Sequence, residues 1–202
     1  VHGIFDLGAK HILSELSEEV RAFAGRIGRP CCLIAESDLN DSRVIRDPAR
    51  GGYGIDIQWN DDYHHSLHSL LTGEESGYYQ DFGSIDDLTT AIREGFVYSW
   101  KYSRFRKRFH GNRSSNLPPD SFVIFSQNHD QVGNRAFGER LSALVPFEAL
   151  KLAAAAVLLT PGIPLLFMGE EYGEQSPFLY FIHHGDSELV SAVREGRKME
   201  FA

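Results

Sequence analysis

The chain is poor in cysteine, with two among its 202 residues. Cys31 and Cys32 are adjacent, and neighbouring residues of a strand point to opposite faces, so a disulfide between them would be strained. We therefore predict that both are reduced packing residues. This cysteine usage favours a reducing compartment.

The sequence also lacks an apolar run of about twenty residues, a secretion signal and a lipidation motif. We therefore predict a cytoplasmic protein with no membrane partner. Basic residues are not in excess, because 20 Lys and Arg face 28 Asp and Glu, for a net charge of -8. Phosphate binding needs a basic surface, so nucleic acid is excluded as the main partner. This charge balance fits a neutral or sugar ligand.

The composition is that of a globular chain with one sizeable core, at 42% hydrophobic and 24% charged residues. Four short apolar runs have the character of buried strands. They cover residues 31–35, 54–59, 121–126 and 163–168. Helical periodicity or capping residues predict helices at 9–27, 61–71, 84–102, 146–159 and 186–198, with Ser84 and Asp186 as N-caps and with Gly25, Gly28 and Pro30 ending the first. The helix 146–159 is apolar almost all round, so we predict that it is well buried. Alternating strands and helices predict a parallel α/β sheet with right-handed crossovers.

Acidic and amide side chains follow each predicted strand. The clusters are Glu36-Ser37-Asp38, Gln58-Trp59-Asn60-Asp61-Asp62, Gln127-Asn128-His129-Asp130 and Gly169-Glu170-Glu171. In a (β/α)-barrel the catalytic groups lie at the carboxyl ends of the strands. Carboxylates that converge there repel one another and raise the pKa of at least one, which keeps a general acid protonated. Paired carboxylates of this kind are the working groups of glycosidases.

The aromatic residues near these clusters suggest sugar contacts. Trp59, Tyr63 and Phe82 could supply flat apolar surfaces for pyranose rings. The carboxylates also have structural interpretations. Asp61 and Asp62 could cap the next helix, and Glu170 and Glu171 could bind backbone amides in their loop.

Two rival sites find less support in the sequence. Adjacent histidines on a helix point about 100° apart, so neither His64-His65 nor His183-His184 can easily share one ion. Without a third ligand, we predict no metal. Residues 101–113 are basic and could bind phosphate, but we interpret them as a solvated loop.

Three ordered motifs resemble those of the α-amylase superfamily of glycoside hydrolases. Leu33-Ile34-Ala35-Glu36 resembles the motif of the general acid, and Phe125-Ser126-Gln127-Asn128-His129-Asp130 resembles that of the third carboxylate and its histidine. Residues 160–171 resemble the eighth-strand signature. The resemblance implies a (β/α)8 TIM barrel, of which residues 1–202 would carry about the last four strands with their helices.

The superfamily nucleophile is an aspartate in a motif whose tail resembles Val1-His2. The resemblance therefore implies that the nucleophile and strands one to four lie upstream. We expect residues 1–202 to be the C-terminal half of the catalytic domain and to need the missing N-terminal half as a partner. Alone, this half is expected to be inactive.

Within the superfamily, residues 35–41, 58–65, 128–135 and 177–202 resemble the trehalohydrolase branch. This implies retaining hydrolysis of the α-1,4 bond next to the terminal trehalose of malto-oligosyltrehalose or a related α-glucan, with no cofactor. Glu36 would be the acid and base, and Asp130 would favour the oxocarbenium-like state. The implied substrate-binding residues are His2, Asp38, Gln58, Trp59, Asp61, Asn128, His129 and Gln131.

Two other functions stay open. A branching enzyme would transfer the sugar to a hydroxyl group, but its acid motif is expected to hold two glutamates and its seventh strand to lack Asn-His-Asp. A non-catalytic carbohydrate-binding remnant is the second alternative.

Overall fold

The computed structural model describes residues 1–201. Contacts divide the chain into two units. The first comprises Val1–Ser126 and Lys151–Leu165, and the second comprises Gln127–Leu150 and the residues from Leu166 onwards.

The first unit contains a four-stranded sheet and a separate hairpin. The strands are β1 (Ile34–Ala35), β2 (Ile57–Trp59), β3 (Lys101–Ser103), β4 (Arg108–His110), β5 (Phe122–Ile124) and β6 (Ile163–Pro164). The sheet has the order β1-β2-β5-β6 with every pair parallel, and β3 and β4 form the antiparallel hairpin. The parallel α/β sheet predicted from the sequence is therefore confirmed.

Seven α-helices accompany the strands within the described residues. They are α1 (Ile12–Ile27), α2 (Asp61–Thr72), α3 (Ile85–Glu94), α4 (His129–Gly133), α5 (Leu141–Leu144), α6 (Phe147–Leu159) and α7 (Ser187–Glu200). Helix ends follow local capping rules. Gly28 ends α1 in the left-handed conformation, Ser84 and Asp87 form a capping box on α3, and Asp186 caps α7.

The predicted helix 84–102 is too long. It ends at Gly95, whose φ of 86° lies outside the helical region. The next amides are bound elsewhere, because Val97 N and Tyr98 N donate to the Asp62 carboxylate at 2.7 and 2.9 Å. A side chain thus replaces the helical acceptors, and the chain turns into the hairpin instead.

Two predictions of burial are also wrong. The first strand is shorter than predicted and is not buried on both faces, since Ile34 is 52% exposed and Cys31 and Cys32 are exposed. The reason is that β1 lies at the edge of the described sheet. Helix α6 is apolar almost all round, yet Ala153 and Val157 are its buried residues.

Two apolar clusters form the core of the first unit. One joins α2, α3, β5 and α6, and the other joins α1, β1, β5 and the segment before β2. Together they fix the carboxyl ends of β1 and β2, where the first two polar clusters begin. No helix among residues 1–201 combines the length and apolar character needed to cross a membrane.

Candidate active site

The loop after β1 carries Glu36 and Asp38. Glu36 is exposed, whereas Asp38 is bound on several sides. Arg106 Nη1 donates to Asp38 Oδ2 at 3.0 Å, and His110 Nε2 lies 2.8 Å from the Asp38 carbonyl oxygen. His2 Nδ1 lies 3.7 Å from Asp38 Oδ1. The loop that holds the predicted acid is therefore tied to the β3–β4 hairpin.

The hairpin itself is anchored by Asp81. Its carboxylate accepts hydrogen bonds from the Tyr98 and Ser103 hydroxyl groups at 2.7 Å, and from Arg104 N and Nε at 3.0 Å. Burial would raise the pKa of Asp81, but these hydrogen bonds outweigh it and hold the pKa far below the usual value. Residues 101–113 are therefore not a loop but contain an anchored hairpin, although most of their basic side chains are exposed to solvent as predicted.

A second buried carboxylate, Asp62, supports the same loop. Asn40 Nδ2 donates to Asp62 Oδ2 at 2.8 Å, and Asn40 adopts a left-handed φ of 51°. Burial raises the pKa of Asp62, although the hydrogen bonds oppose this effect. Asp62 does not cap α2, since the N-cap is Asn60, whose side chain accepts from Tyr63 N.

The end of β2 places three predicted substrate-binding residues. Gln58 is fully buried and donates through Nε2 to the Ser37 carbonyl oxygen at 3.2 Å, while its Oε1 has no partner among residues 1–201. Trp59 is partly buried and lies edge-on to Phe125, with the ring centres 5.8 Å apart. Asp61 is partly buried in the first turn of α2.

Two of the three aromatic residues predicted to contact pyranose rings are not accessible to a sugar. Tyr63 is completely buried and donates its hydroxyl to the Ala156 carbonyl oxygen at 2.7 Å. Phe82 is 6% exposed and packs in the same core cluster. Neither ring offers a free face to a pyranose. The prediction of a contact with a pyranose ring therefore remains for Trp59 alone among the three.

The histidines of α2 form a buried aromatic cluster. His64 Nδ1 donates to the Ser126 carbonyl oxygen at 2.8 Å, and His64 Nε2 accepts from the Tyr79 hydroxyl at 3.0 Å. Burial lowers the pKa of His64 well below its usual value, which agrees with this neutral tautomer. Burial also lowers the pKa of His65 to about 3. Within the described residues, no group of three or more His, Cys, Asp or Glu side chains could hold a metal.

This burial predicts an acid-sensitive fold. An unfolded histidine binds a proton near pH 6.5, whereas His65 stays neutral until about pH 3. Its stabilising contribution is therefore complete above pH 6.5 and is lost as the pH falls toward 3, at up to about 1.4 kcal/mol per pH unit. In urea unfolding of the full-length protein from pH 7 to pH 5, we expect His65→Phe to reduce this pH dependence. The exposed His183→Gln is the control, and equal slopes for both variants would contradict the prediction.

The second unit holds the cluster after β5. Asn128 is buried and caps α4, with Oδ1 accepting from Asp130 N at 2.8 Å and Gln131 N at 3.4 Å. Its Nδ2 has no partner within the described chain. His129 Nε2 and Asp130 Oδ1 lie 3.4 Å apart, and both side chains are largely accessible. An Asn cap thus orients the segment that presents the histidine and the carboxylate.

Glu170 and Glu171 have the structural role that their alternative interpretation described. Phe167 N donates to Glu170 Oε2 at 2.6 Å, and Gly169 N donates to Glu171 Oε2 at 3.0 Å. Gln127 Nε2 also donates to Glu170 Oε1 at 3.2 Å. Both carboxylates therefore stabilise the loop after β6.

The structure thus joins several of the predicted site residues within each unit. In the first unit, direct contacts link His2 to Asp38, and in the second they link Asn128 to Asp130 and Gln131. Sequence reasoning missed Arg106, His110 and Asn40. In Lys101–Ser103 and in Arg108–His110 two exposed residues precede a buried one, so neither strand shows the alternation by which the sequence could have indicated the hairpin.

Comparisons with known proteins give a consistent result. The malto-oligosyltrehalose trehalohydrolase of Saccharolobus solfataricus is 50% identical over 99% of this chain, which covers 35% of that relative. The enzyme of the same name from Arthrobacter ramosus is 48% identical over 100% of this chain and 35% of its own length. No family model matches the sequence.

A solved structure is also similar to this chain over nearly its whole length. A Salmonella typhimurium protein, assigned provisionally as an alpha amylase and determined at 1.4 Å, matches with a TM-score of 0.86 and 44% identity. The match covers 98% of this chain and 34% of that one. The chain spans about a third of the length of the curated relatives it matches. Over its whole length, this chain is therefore a homologue of the malto-oligosyltrehalose trehalohydrolases and shares the fold of an α-amylase-like protein.

Proposed function

We propose that residues 1–202 form the C-terminal half of a (β/α)8 catalytic barrel. The parallel order β1-β2-β5-β6, with α-helices between β2 and β5 and between β5 and β6, supports this proposal because consecutive barrel strands are parallel neighbours. Strands one to four and the aspartate nucleophile would lie upstream in the full-length protein. The free cysteines support a cytoplasmic location for it.

The full-length protein would hydrolyse the α-1,4 bond next to the terminal trehalose of malto-oligosyltrehalose and release trehalose, without a cofactor. The observation that carries this proposal is the 50% identity over nearly the whole chain to a trehalohydrolase. The exposed Glu36 at the carboxyl end of β1 supports it, because this is where barrel enzymes place their catalytic groups.

In this mechanism Glu36 and Asp130 have different tasks, and a third carboxylate, the upstream aspartate, is the nucleophile. The upstream aspartate attacks the anomeric carbon while Glu36 gives its proton to the departing oxygen. Glu36 then takes a proton from water, whose oxygen displaces the aspartate and restores the original configuration. Asp130 favours the distorted, oxocarbenium-like state, and His129 donates a hydrogen bond at the same subsite.

The remaining predicted site residues would hold the sugar. Gln58 Oε1 and Asn128 Nδ2 are buried polar atoms without a hydrogen bond within residues 1–201, so a sugar hydroxyl group that reached either atom would supply its missing partner. Trp59 would provide an apolar face, and His2, Asp38, Asp61 and Gln131 would provide polar contacts.

Replacing Asp130 by Asn is expected to lower kcat strongly, by about 10²- to 10³-fold, with little change in KM. The reason is that a group acting mainly in the transition state affects kcat and kcat/KM alike. Steady-state kinetics of the full-length enzyme on malto-oligosyltrehalose measure this effect. Glu139→Gln, elsewhere in the second unit, is the control. A change confined to KM would make Asp130 a simple binding residue.

The branching enzyme and the non-catalytic remnant predict different products. Incubation of the full-length protein with malto-oligosyltrehalose should release free trehalose. New α-1,6 bonds would show a branching enzyme, and binding without turnover would show a carbohydrate-binding remnant. The acid motif Ala35-Glu36-Ser37-Asp38 holds one glutamate, which favours the hydrolase.

A further inference from the structure

The hairpin between α3 and β5 reaches back to the loop of the proposed acid. Arg106 contacts Asp38 twice, with Nη1 at 3.0 Å from Oδ2 and Nη2 at 3.4 Å from the carbonyl oxygen. His110 Nε2 lies 2.8 Å from the same carbonyl oxygen. Both the side chain and the backbone of Asp38 are therefore held, two residues after Glu36.

Arg106 is itself held in place. Its backbone N donates to the Ser103 hydroxyl oxygen at 3.0 Å, and that hydroxyl donates to the Asp81 carboxylate at 2.7 Å. The Arg106 side chain is 20% exposed, so water competes little for its guanidinium group. The contacts with Asp38 thus connect two structured segments that lie 68 positions apart in the sequence.

The same carboxylate also faces His2. Asp38 Oδ2 binds Arg106, and Asp38 Oδ1 lies 3.7 Å from His2 Nδ1. Asp38 therefore stands between a guanidinium group and the imidazole of a proposed substrate-binding residue. The two hydrogen bonds from Arg106 therefore restrain the acid loop, whereas His2 is 53% exposed and lies near Asp38 without a hydrogen bond to it.

We propose that Arg106 is a positioning residue, which acts through Asp38 to hold the loop of Glu36 in its working place. The inference rests on the proposed function of Glu36. A guanidinium group can bind the carboxylate and the carbonyl oxygen together, whereas the single ammonium group of lysine cannot match both contacts. Lysine should therefore rescue the function only in part.

The test compares Arg106→Met and Arg106→Lys with the exposed Arg108→Met in the full-length enzyme. We expect Arg106→Met to lower kcat on malto-oligosyltrehalose by about 10- to 100-fold, with a change in KM below about threefold. Arg106→Lys should fall between Arg106→Met and the control. Asp38→Asn should lower kcat by a similar factor and should also raise KM, because Asp38 is a proposed sugar contact. Adding it to Arg106→Met should lower kcat little further.

A substrate with a better leaving group separates positioning from general damage. Fluoride needs little help from an acid, so single-turnover release of fluoride from a malto-oligosyl fluoride should be much less impaired by Arg106→Met. Damage to the fold would lower both rates equally and would overturn the inference. Should Arg106→Met not fold, Arg106→Lys provides the same comparison of the two substrates.

The variant Glu36→Gln separates a failure of the proposed role of Glu36 from a failure of the proposed role of Arg106. If Glu36→Gln keeps normal activity, the proposed function of Glu36 fails, whatever Arg106 does. If Glu36→Gln is inactive while Arg106→Met behaves like Arg108→Met, the role of Arg106 alone is wrong.

Discussion

Replacing Glu36 by Gln in the full-length enzyme should remove turnover and leave oligosaccharide binding almost intact. The amide keeps the shape of the carboxyl group but cannot give the departing oxygen its proton, so kcat should fall by about 10²- to 10⁴-fold. Because Glu36 is exposed on the loop after β1, the change creates no buried defect. Kinetics and calorimetric binding of malto-oligosyltrehalose provide the two measurements.

The exposed Glu19 of α1 offers a matched control for this loss of charge. Glu19→Gln should keep both kcat and the Kd for the oligosaccharide. A near-normal kcat for Glu36→Gln would show that Glu36 is not the acid. Lost binding in that variant would instead make it a substrate ligand.

Residues 1–202 expressed alone should release no trehalose and should be poorly stable as a monomer. Helix α6 leaves large apolar side chains open to water, among them Leu159 at 83% exposure. Strands β1 and β6 are the two edges of the described sheet, and open edges pair readily with other chains. Size-exclusion chromatography should therefore show self-association.

Leu159→Gln in the isolated chain tests the cause of this association, since it should reduce the size of the aggregates without restoring activity. The full-length enzyme provides the active control. Release of trehalose by a well-behaved monomer of residues 1–202 would mean that another carboxylate, Asp6 or Asp38, is the nucleophile. The alignment of Val1-His2 with the superfamily motif would then be wrong.

The features predicted correctly from sequence are local ones. The N-caps Ser84 and Asp186 and the end of α1 at Gly28 each depend on residues within about four positions. The alternation of strands and helices along the sequence was likewise sufficient to predict a parallel sheet.

The features missed from sequence depend on distant partners. Asp62 could have capped α2 by its position, but its carboxylate binds Val97 N and Tyr98 N, which shortens α3. Tyr63 and Phe82 are aromatic residues beside a candidate site, yet residue type does not reveal that other elements cover their rings. The predictions for Glu36 and Asp130 rest on motif resemblance, and their test is kinetic.

The register of the sheet has a consequence for how the chain folds. Ile34 pairs with Ile57, whereas Gln58 pairs with Phe122, so the second pairing closes a much longer segment. Closing a longer loop costs more chain entropy, and pairings between distant residues slow folding. We expect β1 and β2 to pair early. Strand β5 should pair with β2 once α3 and the hairpin have formed, because they shorten the flexible chain between β2 and β5. The backbone pairing between β2 and β5 should then form late in folding. Pulse-labelling hydrogen exchange would show the amides of these two strands protected after those of the hairpin.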